Sequence, residues 1–192
     1  MTNLRVDGVD SLDAEQNTYG SDWNTGVNFA NVAKYGGGDV RWAANFDISS
    51  IGSDHTIDDA YLWVAFGSVG TDLSIRVVEE ADHTFPANYG ASTTAVSNWS
   101  SNSVTWSPTG GGGSTNEESP DITTLIEDCI TAGGAVGEIG LWMEGVTSSV
   151  TVCYLYGYTN YYEYLIINHT EPAGGPSIAV VQHHRQQQGV GN

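Results

Sequence analysis

Positive charge is what this chain has least of. Its 192 residues include 5 Lys and Arg against 23 Asp and Glu, which gives a formal net charge of −18. Proteins that bind nucleic acid gain most of their affinity by neutralising phosphates with Lys and Arg, so we expect no nucleic-acid partner. A surface of this kind keeps a protein soluble and resists self-association, less strongly where salt screens the repulsion.

Long apolar runs and cysteine are also scarce. No run approaches the ~20 apolar residues that cross a bilayer, and no basic segment followed by an apolar one opens the chain. We therefore expect neither membrane insertion nor export by the usual route. Cys129 and Cys153 lack the C-x-x-C spacing of a zinc or redox site. We expect free thiols, with a disulfide as the alternative.

Catalytic signatures are absent from the sequence too. It has no G-x-S-x-G nucleophile elbow, H-E-x-x-H zinc helix, phosphate-binding loop or dinucleotide fingerprint. A glycosidase-type pair is defined by the distance between two carboxylates, and nothing in the sequence singles one out. We expect a non-enzyme without a cofactor.

The acidic positions near the start lack the order of a calcium loop. Asp7, Asp10, Asp13 and Glu15 stand at intervals of two or three residues and do not form the D-x-D-x-D-G pattern. We interpret residues 6–16 as a solvated acidic segment and expect no metal site, with structural calcium left as the alternative.

What the chain does have is glycine, aromatics and alternating apolar residues. Its 24 Gly, 10 Tyr and 6 Trp are typical of turns and strands. Alternation predicts strands at 23–32, 41–48, 60–66 and 73–77, with loops at 36–38 and 109–116. Within the third strand, Leu62 and Val64 share one face, and Tyr61 and Trp63 share the other. Aromatic residues on both faces of this strand indicate that neither face is fully exposed to solvent.

One short helix is predicted over residues 123–130. Ser119, Pro120 and Asp121 provide a cap and an early proline in front of it. The apolar residues at helical spacing are Ile122, Leu125, Ile126, Cys129 and Ile130.

Residues 41–51, R-W-A-A-N-F-D-I-S-S-I, and residues 56–66, T-I-D-D-A-Y-L-W-V-A-F, read as a strand, a corner and a second strand. This pattern resembles the R…F-D-L-S-S-I…I-x-x-A-x-L-x-L core of the DNRLRE-type β-sandwich domains, which are related to carbohydrate-binding modules. Further motifs of that family follow in order, and the resemblance spans about residues 16–170. The matching segments are N-T-Y-G-S at 17–21, S-V-T-W at 103–106, D-I-T-T-L at 121–125, G-L-W-M at 140–143, V-T-V-C-Y-L-Y at 150–156 and Y-L-I-I-N at 164–168.

The resemblance implies an all-β fold: an antiparallel, jelly-roll-like β-sandwich with one short helix that plugs an end and Trp106 as a core anchor. It also implies a module that is not itself catalytic. The chain departs from the family in an extended 80–102 loop, in the glycine loop at 109–118, and in Glu163, where the family usually has proline.

We assign residues 1–171 to the sandwich and residues 172–192 to an extended C-terminal arm. The arm contains an apolar, β-prone run followed by the most basic stretch of the chain, so it is the candidate assembly segment. It either docks on its own domain or adds a strand to a neighbour's sheet. Its candidate contact residues are Ile178, Val180, Val181, His183, His184 and Arg185.

Aromatic residues in turn-rich stretches form a candidate glycan site, because sugar-binding sandwiches stack aromatic rings on sugar faces. The alternative is that these rings cap the sandwich or fill subunit contacts. The candidate glycan-binding residues are Trp99, Tyr89, Tyr158, Tyr161 and Tyr162.

Three functions fit these observations. The first is a structural protein of an assembled particle, a capsid decoration or fibre-type component on the surface of a phage virion, with subunits of the same assembly as partners. The second is a carbohydrate-binding or adhesion module at a cell surface, with a glycan as partner. The third is a subunit of an extracellular filament joined by strand exchange through the arm.

Overall fold

The computed structural model describes residues 1–7, 14–17, 23–25, 29–35, 38–77, 102–110, 116–133, 137–146, 153–156 and 163–173. Within these ranges the chain forms a set of strands and one helix. The strands are β1 (Thr2–Asp7), β2 (Ala14–Asn17), β3 (Trp23–Thr25), β4 (Phe29–Tyr35), β5 (Gly38–Asp47), β6 (Thr56–Ser68), β7 (Leu73–Val77), β8 (Val104–Trp106), β9 (Asn116–Glu118), β10 (Glu138–Gly145), β11 (Cys153–Tyr156) and β12 (Tyr164–Thr170), and the helix is α1 (Thr123–Gly133).

The strands pair into two antiparallel sheets. In sheet A, β12 lies between β1 and β6, and β6 also pairs with β9 and β11. In sheet B, β5 pairs with β2 and β10, β10 pairs with β7, β7 with β8, and β2 with β3. Strand β4 belongs to both sheets, because residues 29–32 pair with β11 and residues 33–35 pair with β5. The predicted all-β sandwich with one short helix is confirmed.

The hydrophobic core lies between the sheets and follows the alternation of the strands. Every second residue of β5, β6, β7, β10 and β12 points inward, as period-two geometry requires. Trp106 of β8 is 3% exposed and meets Phe66 edge to face at a centroid distance of 4.9 Å, which confirms it as a core anchor. The inward residues of these five strands include Trp42, Ala44, Phe46, Leu62, Val64, Phe66, Leu73, Ile75, Val77, Ile139, Leu141, Met143, Leu165 and Ile167.

Helix α1 packs its apolar face into this same core, as its sequence predicts. It begins at Thr123, whose backbone N–H donates to Asp121 Oδ1 at 2.8 Å, so the carboxylate satisfies a donor of the first turn. The buried residues of this face are Ile122, Leu125, Ile126, Cys129 and Ile130. Cys129 is a free thiol, and burial raises its pKa strongly, so it is an unreactive core side chain.

The segment before the helix is joined to β6 by a set of short hydrogen bonds. Ser119 N–H donates to the Leu62 carbonyl oxygen at 2.8 Å, and Leu62 N–H donates to Ser119 Oγ at 2.9 Å. Ile122 N–H donates to the Ala60 carbonyl oxygen at 2.9 Å. The helix is therefore attached to the central strand through backbone groups as well as through its apolar face.

The two ends of the acidic segment 6–16 lie in β1 and β2, which pair with β12 and with β5, and the solvation expected of this segment stays a prediction. Two other local predictions were wrong. Gly38 was expected in a loop and begins β5. The predicted single strand at 23–32 is divided between β3 and β4. Gly38 pairs with Tyr35 of β4, and β3 and β4 pair with different strands, which local alternation does not reveal.

Replacing Trp106 with alanine is expected to lower the free energy of unfolding by about 3–5 kcal/mol, because it leaves a large cavity beside Phe66. Urea unfolding followed by circular dichroism measures this. The exposed neighbour Thr105 in the same strand is the matched control, and Thr105→Ala should stay within about 0.5 kcal/mol of the wild type. A loss below about 1 kcal/mol for Trp106→Ala would contradict its role as a core anchor.

Replacing Ser119 with alanine is expected to lower the free energy of unfolding by about 1–3 kcal/mol, because the buried N–H of Leu62 loses its acceptor. Ser119→Thr keeps a hydroxyl at this position and should recover part of the loss. Thr124→Ala on the exposed side of α1 controls for the loss of a side-chain hydroxyl at a surface position. An equal effect of Ser119→Ala and Thr124→Ala in urea unfolding would rule out the bond as the cause.

Candidate functional site

The site residues predicted from the sequence lie outside the residues that the structure describes. This holds for the loop aromatics Trp99, Tyr89, Tyr158, Tyr161 and Tyr162, and for the arm residues Ile178, Val180, Val181, His183, His184 and Arg185. Both sets stay predictions. The candidate site that the structure does describe lies elsewhere, on the outer side of sheet A.

Three aromatic rings and one arginine lie together on the outer side of sheet A, and we call this group the aromatic face. Its members are Arg5 of β1, Tyr164 of β12, and Tyr61 and Trp63 of β6. Its position follows from the alternation of the two central strands. The residues next to these rings in sequence, such as Leu62 and Leu165, are fully buried in the core, whereas the three aromatic side chains are half-buried. The sheet therefore supports the rings from beneath and leaves their upper parts at the surface.

Three groups of the aromatic face form a stack across the strands. Tyr164 and Trp63 are direct cross-strand partners, and their rings lie nearly parallel, 11° apart in plane and 5.6 Å apart between centroids. The Arg5 guanidinium carbon lies 3.9 Å from the centroid of the Tyr164 ring. Stacked rings and a cation over a ring each add stability beyond buried area, so this order of groups is held in place before any ligand binds.

A polar row runs beside the aromatic face, two residues further along the same strands. Asn3, Asn168 and Asp59 occupy matching positions in β1, β12 and β6. Asn3 Nδ2 donates to Asn168 Oδ1 at 2.9 Å, and Asn168 Nδ2 donates to Asp59 Oδ1 at 2.5 Å. Amide and carboxylate groups fixed in this way offer both donors and acceptors at the edge of the rings.

The two ends of the aromatic face differ in charge. Arg5 stands at the β1 end, whereas carboxylates surround Tyr61 at the other. Burial raises the pKa of Tyr61, and the negative charges of Asp59, Asp121 and Glu118 raise it further. The Tyr61 hydroxyl therefore stays protonated at neutral pH and keeps a hydrogen to donate.

Sheet B carries a second cluster of charged and aromatic residues on its outer side. Glu144 Oε2 lies 3.4 Å from Arg41 Nε, and Glu144 Oε1 lies 3.5 Å from Arg76 Nε. The Arg41 guanidinium also lies 4.8 Å from the centroid of the Trp142 ring. Trp142 is 2% exposed, so its ring offers no open surface to a ligand, unlike the rings of the aromatic face.

Sequence reasoning placed Tyr61 and Trp63 on the second face of a strand but did not join them to a site. Tyr164 was identified only as part of a closing strand, and Arg5 was not singled out. The missing information was the register between β1, β12 and β6, which brings residues more than 100 positions apart in sequence into one row. Alternation alone could have found the outward-facing aromatics of β6.

A scan against protein-family models finds no match for the chain, and a search of curated proteins finds no relative. The resemblance to the DNRLRE-type domains accordingly stays a prediction from the motifs. Within the described ranges, no three His, Cys, Asp or Glu side chains are grouped to hold a metal ion. The helix in the same ranges is too short and too polar to cross a membrane.

Proposed function

We propose that this chain is a non-catalytic β-sandwich module that binds carbohydrate on the aromatic face of sheet A. The stack of Trp63 on Tyr164, with the Arg5 guanidinium close to the Tyr164 ring, is the observation that supports this function. Rings fixed on adjacent strands lose little conformational freedom when a sugar packs against them, which favours binding. The absence of catalytic motifs in the sequence supports a binding role rather than an enzymatic one.

The chemistry around the rings favours a neutral sugar. A sugar ring presents C–H groups on its faces and hydroxyls around its rim, so it needs an apolar surface with donors and acceptors beside it. The aromatic face supplies the first, and the row formed by Asn3, Asn168 and Asp59 supplies the second. Asp59 and Glu118 near Tyr61, in a chain of net charge −18, disfavour acidic sugars by repulsion.

The test is binding of neutral and acidic oligosaccharides to the full chain, first on a glycan array and then by calorimetry. Trp63→Ala and Tyr164→Ala should each weaken binding of a neutral glycan by about tenfold or more, equivalent to about 1.4 kcal/mol. Trp99→Ala and Tyr161→Ala serve as matched aromatic controls and should leave the dissociation constant unchanged. Binding lost only in the two controls would move the site to the loops, and an array without any neutral hit would overturn the proposal.

An assembly role is the second candidate, and the edge of sheet A favours it. Within the described ranges β1 pairs with β12 alone, so its other edge can accept a further strand, such as the β-prone run of the arm from a neighbouring copy. Among the residues whose exposure the structure gives, Met1 and Val146 are the large apolar side chains that are exposed, which favours the arm as an apolar contact. This supports a particle component, on a phage virion or in an extracellular filament. Many copies would also amplify weak sugar binding.

Removing the arm tests the assembly role. Light scattering should show oligomers for the full chain and a monomer for a chain truncated after residue 171, at equal concentration. Replacing Ile178 and Val180 together with serine should reproduce the effect of the truncation, whereas replacing Gln186 and Gln187 with serine should not. Identical masses for the full and truncated chains would contradict assembly through the arm.

A further inference from the structure

Two histidine rings meet where the corner between β5 and β6 touches the end of β12. Their Nδ1 atoms, on His55 and His169, lie 3.0 Å apart. The rings are nearly parallel, at 12°, with centroids 4.9 Å apart. Because the two Nδ1 atoms are closer together than the two ring centroids, each ring directs its Nδ1 edge at the other ring. A contact of this length is a hydrogen bond in which one Nδ1–H donates to the other Nδ1.

The hydrogen bond between the two Nδ1 atoms has one proton between them and leaves no room there for a second. A charged imidazolium carries N–H groups on both nitrogens, so two charged rings would direct two hydrogens at each other. His169 is 4% exposed, and its burial, followed by the charge of His55, lowers the pKa of His169. Protonating the second ring therefore breaks the contact.

The bond joins two segments that are far apart in sequence. On the corner, His55 N–H donates to the Gly52 carbonyl oxygen at 3.0 Å. A side chain at Gly52 would meet the His55 ring at 3.2 Å, so the glycine lets the ring lie close to the backbone. On the other side, His169 follows an irregularity in the pairing of β12 with β6. The pair thus fastens the corner to the end of β12.

Charged groups face His169 from the strands around it. Asp58 of β6 and Glu171 after β12 favour its protonation, whereas the amino group of Met1 opposes it. Asp58 already accepts a hydrogen bond from Thr170 Oγ1 at 2.7 Å. The acidic neighbours thus offset part of the effect of burial on the pKa of His169, which stays below its ordinary value.

An open pocket of about 500 Å³ lies beside His55. It is lined by the corner and by the second half of α1, which contributes Glu127 and Asp128. The exposed Asp54 stands on the corner itself. The carboxylates of Glu127 and Asp128 therefore line the same pocket as the His55 ring.

We propose that His55 and His169 form a proton-operated latch, closed at neutral pH and open in mild acid, which fastens the β5–β6 corner to the end of β12. Opening exposes the last residues of β12 and turns His55 toward the carboxylates of α1. The latch does not use the rings of the aromatic face, but its residue His169 directly follows Asn168 of the polar row.

The direction of the pH effect follows from linkage. The pKa of His169 in the folded protein lies below its ordinary value of 6.5. The unfolded chain therefore binds more protons than the folded one between these two pKa values. The stability that the latch contributes is present above pH 6.5 and is lost as the pH falls through the lowered folded pKa.

The direct test is nitrogen-15 NMR of the histidine side chains in the full wild-type chain between pH 8 and pH 5, with a chelator present. The latch predicts one Nδ1 with its proton and one without at neutral pH, and two separate titration steps for the pair. A single shared step near pH 6.5, or a spectrum that changes when the chelator is left out, would overturn it. In the second case a metal ion, not a proton, would join the nitrogens.

A variant series supplies the second readout. His55→Asn keeps a hydrogen-bonding group near the Nδ1 position but does not titrate, and Asp54→Asn is a control for charge on the same corner. Between pH 7.5 and pH 5.5 the wild type and Asp54→Asn should lose about 3–5 °C more in Tm than His55→Asn. Amide exchange at 52–57 and 168–171, corrected for intrinsic rates, should speed up about tenfold in the wild type only. Equal pH dependence in all three proteins would refute the latch.

Discussion

The alternation of strand β6 is the constraint on which the rest of this structure depends. Its 13 residues pair with β12, β11 and β9, and its carbonyl groups at Ala60 and Leu62 hold the segment that leads into α1. Its inward residues contribute to the core, and its outward residues Tyr61 and Trp63 form half of the aromatic face. Because side chains alternate with a period of two, a slip of one residue in this strand would exchange the two sets. Core and candidate site are therefore specified together.

This coupling explains why the candidate site is rigid without being covered. Trp63 and Tyr164 lie on strands whose inward residues are fully buried. Packing of the core therefore offsets the entropy lost when these two rings are ordered. The polar row of Asn3, Asn168 and Asp59 is held by the same register, with each side chain hydrogen-bonded to the next across the strands. A ligand that packs on such a surface finds its contacts already oriented, which is the usual advantage of placing sites on strands rather than loops.

The sequence predicted those parts of the structure that rest on local pattern. The strand containing Leu62 and Val64, the helix with Leu125 at its buried face, and Trp106 as a core residue all follow from spacing, capping and a family-like motif. The N-terminal strand was missed because Thr2–Asp7 is polar and acidic, and only its pairing with β12 makes it a strand. The aromatic face was missed for the same reason. Its members belong to three strands, and no local pattern carries the register between them.

Three of the few positively charged side chains contact other groups of the protein. Arg5 lies over the Tyr164 ring, and Arg41 and Arg76 share the carboxylate of Glu144. These cations are engaged by the protein's own groups, so the field that reaches solvent is dominated by the acidic residues behind the net charge of −18. At physiological ionic strength that field decays over roughly 8 Å, so it acts on a partner during approach more than on contacts already made. For the proposed sugar site, this field would oppose the approach of an anionic ligand and would leave a neutral one to be selected by stacking and hydrogen bonds. The scarcity of lysine and arginine thus bears on the proposed choice of ligand as much as the rings do.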